Sequence, residues 1–255
     1  MPNLYIIAGC NGAGKTTASE TILPKMLNCR EFVNADNIAK GLSPFNVESV
    51  AFEAGRLMLT RIHELVEEGI DFAIETTLST RSYRSLVLRA QLLGYKVTLL
   101  FVWLQDIEMA CERVALRVSM GGHDIPTQLI ERRYQRGLRN LFEVFIPVVD
   151  AWLLVNNSNQ ELEHIAFGEK ILSLPLKMNI FGLRFVSMSR NNTSAEHQEF
   201  IQKVTIGFRL AYEKLVRETA LKNQTLVVSV KGKAVHVPAR KLLRQLQRPV
   251  KAPQS

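Results

Sequence analysis

The chain is poor in cysteine: three in 255 residues, Cys10, Cys29 and Cys111, odd in number and far apart. That excludes a disulfide framework or a cysteine zinc site, and the expectation is free thiols in a reducing cytoplasm. Long apolar runs are also missing. The longest, residues 97–104, falls far short of the roughly 20 residues that a membrane-spanning helix needs, so no membrane partner is expected. Met1-Pro2-Asn3 leads directly into an apolar strand pattern, so no signal peptide is expected. Internal repeats are absent. Most of the chain also lacks excess charge. The net charge is +8, yet residues 194–255 hold 12 of the 32 Lys and Arg and 4 of the 24 Asp and Glu, leaving residues 1–193 neutral. A nucleic-acid surface is therefore not expected on the main domain, and the basic tail leaves that question open.

What is present is an alternation of strand and helix signals. Apolar runs at 4–8, 31–34, 72–74, 96–104 and 152–155 read as strands. Helical periodicity covers 16–26, 48–68, 81–93, 106–120 and 127–145, with Gly69 and Gly94 as stop signals and Asp106 as a cap. The alternation predicts an α/β fold whose parallel sheet carries helices on both faces. Ligands on such sheets sit outside the carboxyl ends of the strands. Residues 157–193 show no clear periodicity. Beyond them, Phe200, Val204, Phe208, Ala211, Tyr212 and Leu215 mark an amphipathic helix whose apolar face needs a surface to cover it. Residues 226–230 and 234–237 around Lys231-Gly232-Lys233 predict a hairpin, followed by a short basic helix at 238–247 and a frayed end at 251–255. The expected division is an α/β domain at 1–175, a connector at 176–193 and a separable α+β appendage at 194–255.

The most specific chemical signal is Gly9-Cys10-Asn11-Gly12-Ala13-Gly14-Lys15-Thr16, with Thr17 following. It fits the phosphate-loop pattern G-x-x-x-x-G-K-S/T at every fixed position, between a strand and a helix. Glycines let consecutive backbone N–H groups point inward at a phosphate. Lys15 bridges the β- and γ-phosphates, Thr16 ligates Mg²⁺, and the helix aims its positive end at the same anion. The residues imply a phosphotransferase using ATP or GTP with Mg²⁺.

Such an enzyme needs a carboxylate to accept the proton of the acceptor hydroxyl. Asp36, after the second strand, is that base or else a helix cap before Ile38-Ala39. Glu75 ends the third strand, where it holds Mg²⁺-bound water or substrate, or caps the next helix. Thr76, Thr77, Ser79 and Thr80 offer hydroxyls for substrate contact or for capping. Arg117, Arg132, Arg133, Arg136 and Arg139 surround a Gly121-Gly122-His123-Asp124-Ile125-Pro126 loop. Guanidinium groups there bind the transferring phosphoryl group from a closing lid, or form a solvated basic face. Arg113 lies four residues before Arg117, on the same helix face.

Four blocks in order resemble the zeta-toxin family of P-loop kinases, especially its short bacterial members: GCNGAGKTT at 9–17, FVNADNIAKGLSP at 32–44, IETTLS at 74–79 and ERVALRVSMGGHDIPTQLIERRY at 112–134. The resemblance covers residues 3–156. It implies a nucleoside-kinase-like P-loop sheet of order 2-3-1-4-5 with the small α+β appendage. It also implies phosphorylation of a sugar hydroxyl in UDP-N-acetylglucosamine; the alternatives are a kinase of another metabolite or of a nucleic-acid 5′-hydroxyl, or a non-catalytic ATP-gated toxin–antitoxin module with an antitoxin-like protein partner. By position, Lys15 binds phosphates, Asp36 is the base, Glu75 positions substrate and Arg117 stabilises the transferring phosphate. The family's second lid arginine, before a proline, has no counterpart in residues 120–126. Arg132 or Arg133 is the candidate to replace it; Arg133 is set among the catalytic residues, and Arg132 and Thr77 join Glu75 as candidate substrate contacts.

Overall fold

The computed structural model describes residues 1–170 and 194–247. Its centre is a six-stranded sheet of order β2-β3-β1-β4-β5-β6. The strands are β1 (Asn3–Ala8), β2 (Glu31–Val33), β3 (Phe72–Thr76), β4 (Lys96–Trp103), β5 (Ala151–Asn156) and β6 (Glu163–Glu169). The first five pair in parallel, in the expected order. β6 is an addition: it closes the edge antiparallel to β5. Its polar, half-exposed sequence carries little of the continuous apolar signal of a buried parallel strand, so it escaped the periodicity reading.

Alternation along each strand splits the core into two layers. Leu4, Ile6 and Ala8 of β1 pack on one face with Met58, Ile62 and Leu65 of α3 (Ala51–Glu68) and Val87 and Ala90 of α4 (Tyr83–Leu92). Ile7 faces the other way, onto Ile22 and Leu23 of α1 (Lys15–Met26) and Met109 and Val114 of α5 (Ile107–Ser119). The same layer holds Ile130 and Tyr134 of α6 (Thr127–Asn140). A π-helical turn, Leu141–Phe145, ends the segment expected as one helix to 145. Another unexpected element is α2 (Ala35–Leu42), only eight residues long and with Ala39 alone buried, too short for a clear period.

The C-terminal region contains α7 (Ala195–Leu221), β7 (Thr225–Val230), β8 (Lys233–Pro238) and α8 (Ala239–Leu246). β7 and β8 form the expected hairpin, and its tip, Lys231 and Gly232, takes positive φ at both positions (52° and 78°) as a type I′ turn demands. α7 runs along α1, and Phe200, Val204 and Phe208 join the same core layer as Ile22 and Leu100. The surface that its apolar face needs is therefore the main domain. The expected connector at 176–193 and the segments 171–175 and 248–255 lie outside the described residues. Among the described residues no helix is long and apolar enough to cross a membrane.

Candidate functional site

β1 ends at Ala8, and its continuation turns back tightly to start α1 at Lys15. Three glycines make that turn. Gly9, Gly12 and Gly14 have φ of 142°, 80° and 88°. A Cβ at Gly9 would lie 2.2 Å from Val102 O, one at Gly12 2.8 Å from Ala110 O, and one at Gly14 2.7 Å from Asn157 Nδ2. Both the backbone conformation and the space exclude side chains at these positions.

Lys15 is buried at the first turn of α1, where its ammonium donates to Cys10 O at 2.9 Å. It also lies 3.7 Å from Glu75 Oε1. Glu75, near the carboxyl end of β3, is brought beside β1 by the parallel pairing Ile7 with Glu75. Its Oε2 accepts from Thr16 Oγ1 at 2.8 Å and from Asn34 Nδ2 at 2.9 Å. Lys15, Thr16, Glu75 and Asn34 thus form one cluster linking the loop to the ends of β2 and β3. Cys10 and Cys29 are buried, which pushes their thiols up to about 11 and about 12, so both stay protonated at neutral pH.

Asp36 lies one residue inside α2. Asn34 Oδ1 is the cap of that helix, accepting from the N–H groups of Asp36 and Asn37 at 2.8 and 3.4 Å. The capping alternative for Asp36 is therefore taken by Asn34, and the Asp36 side chain lines the cleft in front of Lys15. Arg133 Nη1 donates to Asn11 Oδ1 at 3.2 Å, tying α6 to the loop. Burial lowers the Arg133 pKa from the usual arginine value, while the Asp36 carboxylate opposes that shift. Arg117 lines the cleft from α5, and its Nη2 holds His123 O at 2.9 Å, folding the glycine-rich loop back on the helix. Two expected contacts stand apart: Thr77 Oγ1 donates to Ser79 Oγ at 3.0 Å, and Arg132 is exposed on α6. Neither Thr77 nor Arg132 lines the cleft, and Arg133 meets it only through its bond to Asn11.

The cleft measures about 530 Å³ and continues from the loop past Asn157 to α7 and β7. Sequence reasoning missed Asn34, Asn157 and this far wall. An asparagine at a strand-to-helix junction is a cap signal that could have found Asn34; the others depend on tertiary packing. Among the described residues, no group of three or more His, Cys, Asp or Glu could hold a metal ion. The donors present, the Thr16 hydroxyl and the Glu75 carboxylate, are hard oxygens that fit Mg²⁺ held mainly by phosphates and water.

A glycine-walled loop between the first strand and first helix of a mainly parallel sheet, with lysine and hydroxyl at its end, defines the class: a P-loop kinase fold. The zeta toxin family profile matches residues 1–159, and the chain belongs to the zeta toxin family. Residues 192–248 match a domain of unknown function, DUF8506. An uncharacterised protein from Haemophilus influenzae is 29% identical over 126 residues, covering 49% of this chain and 88% of that protein. Among solved structures, one from the PezAT toxin–antitoxin system of Streptococcus pneumoniae matches with a TM-score of 0.53 at 15% identity, covering 83% of this chain and 87% of that one. AvrRxo1-ORF1:-ORF2 with ATP matches with a TM-score of 0.53 at 16% identity, covering 84% and 76%. At these identities the two structures show a shared fold.

Proposed function

We propose that this chain is a kinase that transfers the γ-phosphate of ATP, with Mg²⁺, to a hydroxyl of a small acceptor. UDP-N-acetylglucosamine is the first acceptor to test. The observation that carries the reading is the Glu75 cluster, which joins the phosphate-loop lysine and threonine to the β2–α2 junction that bears Asn34 and Asp36. In this reading Lys15 holds the β- and γ-phosphates, with the backbone N–H groups of Gly9, Cys10, Asn11, Gly12, Ala13 and Gly14 and the hydroxyls of Thr16 and Thr17 around them. Thr16 is the side chain that would hold Mg²⁺, which when bound neutralises charge between the phosphates. Asp36 accepts the acceptor proton, Glu75 positions the acceptor, and Arg117 and Arg133 stabilise charge on the transferring group. ATP and a nucleotide-sugar acceptor place the reaction in the cytoplasm. The fold shared with a PezAT structure motivates an antitoxin-like protein as a partner to seek.

The test is a screen of hydroxyl acceptors with labelled ATP and Mg²⁺, wild type beside Lys15→Ala. Label should reach an acceptor with the wild type alone. Equal transfer by Lys15→Ala would sink the reading, because the variant lacks the charge that neutralises the phosphates.

A further inference from the structure

The proposed chemistry occupies only one end of the cleft. Lys15, Thr16, Glu75 and Asp36 line the loop end, and an acceptor has to reach the γ-phosphate from the Asp36 side. The remainder of a nucleotide must then extend the other way, past Asn157. There the cleft changes character. Its wall is mainly carbon, from Phe208, Ala211, Tyr212 and Leu215 of α7 and Leu226 and Val227 of β7, with the Tyr212 hydroxyl and Thr219 as its polar points. An apolar wall facing a polar phosphate cradle across one cleft matches the two ends of a nucleoside triphosphate.

The wall is preformed. Arg113, on α5, donates from Nε to Val227 O at 3.1 Å and from Nη2 to Ser158 O at 3.4 Å. One side chain therefore pins the hairpin to the loop after β5. Ser229 N adds a bond to Ser158 O at 3.0 Å, and Gln105 Nε2 one to Gly232 O at 2.8 Å. Burial pulls the Arg113 pKa down to about 10, still charged at neutral pH. α7 is fixed from behind by Phe200 and Val204 in the core of the main domain.

Resting on the nucleotide reading above, we propose that the C-terminal unit, α7 with the β7–β8 hairpin, forms the nucleobase half of the nucleotide pocket. The main domain then holds the phosphates, and the C-terminal unit holds the base. Neither half suffices for nucleotide affinity. The basic charge of the C-terminal unit lies outside this wall, whose lining carries no lysine or arginine of its own.

The experiment is calorimetric titration of the full chain with magnesium ATP and, separately, magnesium tripolyphosphate, which has the phosphates without a base. Leu215→Trp and Leu226→Trp each fill the wall with a larger ring. Each should weaken ATP by at least about tenfold and change tripolyphosphate affinity by less than about twofold. Retained tripolyphosphate binding also reports that the fold is intact. Unchanged ATP affinity in both variants overturns the proposal. So does equal loss of both ligands in both, since the wall would then act on the phosphate end. Lys15→Ala separates the two readings: it should lose both ligands. If it keeps both while the tryptophan variants lose ATP alone, the phosphate-loop reading fails and the base wall stands.

Discussion

The side chain of Asn34 accepts the backbone N–H of Asp36 at 2.8 Å while its own amide donates to Glu75 at 2.9 Å. One residue thus fixes the start of α2 and ties it to the carboxylate beside the phosphate loop. Asp36 is freed from capping, and its carboxylate is left in the cleft.

That division separates two substitutions. Asp36→Asn leaves the Asn34 cap in place and should fold normally. If Asp36 is the base, the transfer rate falls by about 10²–10⁴-fold, because an amide cannot take the acceptor proton. ATP affinity should move by less than about threefold, since the phosphate cradle is untouched. Asn34→Ala should instead cost about 1 kcal/mol of stability through loss of the cap, and should also release Glu75. Single-turnover rates and thermal unfolding of both variants decide the matter. A fully active Asp36→Asn removes the base assignment.

Most of the parallel strands were readable as apolar runs because the sheet's interior is covered on both faces, as β5 is buried at all six positions, whereas their order came from the family resemblance. The loop was readable because backbone conformation dictates its glycines. Elements with weak periodicity were not. α2 buries one side chain and β6 lies half exposed at an edge. Arg117 lines the cleft and Arg133 bonds to Asn11 of the loop, whereas Arg132, adjacent in sequence to Arg133, faces solvent. Helical rotation of about 100° per residue separates such neighbours, and the arginine-rich segment alone did not say which of them turned inward. The wall made by α7 could not be read from local sequence, since α7 meets residues far earlier in the chain, as Gly207 meets Ile22 across 185 positions.

His197 gives the fold a pH dependence. Its ring is buried between Phe167 and Phe200, each with centroid 6.0 Å away, and its Nε2 has no partner among the described residues. Burial lowers its pKa, and Lys96 acts in the same direction; Glu169, the backbone of Trp152 and Glu196 oppose it. The folded pKa therefore lies below the unfolded value of about 6.5. As pH falls through about 6.5, the unfolded chain takes up the proton first and stability drops; above that pH the effect is absent. His164, also lowered by burial, bends the curve the same way. Thermal midpoints of the wild type should decline from about pH 7 to about pH 5, and His197→Phe should decline less. Parallel curves for the two proteins would contradict the assignment.

The contact between α1 and α7 turns on Gly207. A Cβ there would lie 2.5 Å from Ile22 Cγ1 and 3.3 Å from Met26 Cγ, and Ile22 is itself 1% exposed. Two effects compete in Gly207→Ala. Alanine favours the helix by about 1 kcal/mol over glycine. Forcing a methyl group into a closed contact costs about 1–3 kcal/mol. The packing term should win, because Ile22 sits in the core with Leu23 and Phe208 and has little room to move aside. A loss of about 1 kcal/mol would lower the melting temperature by about 2–4 °C in a protein of this size. A rise in melting temperature would mean that helix propensity outweighs packing, and that α7 rests on α1 more loosely than the 2.5 Å approach implies.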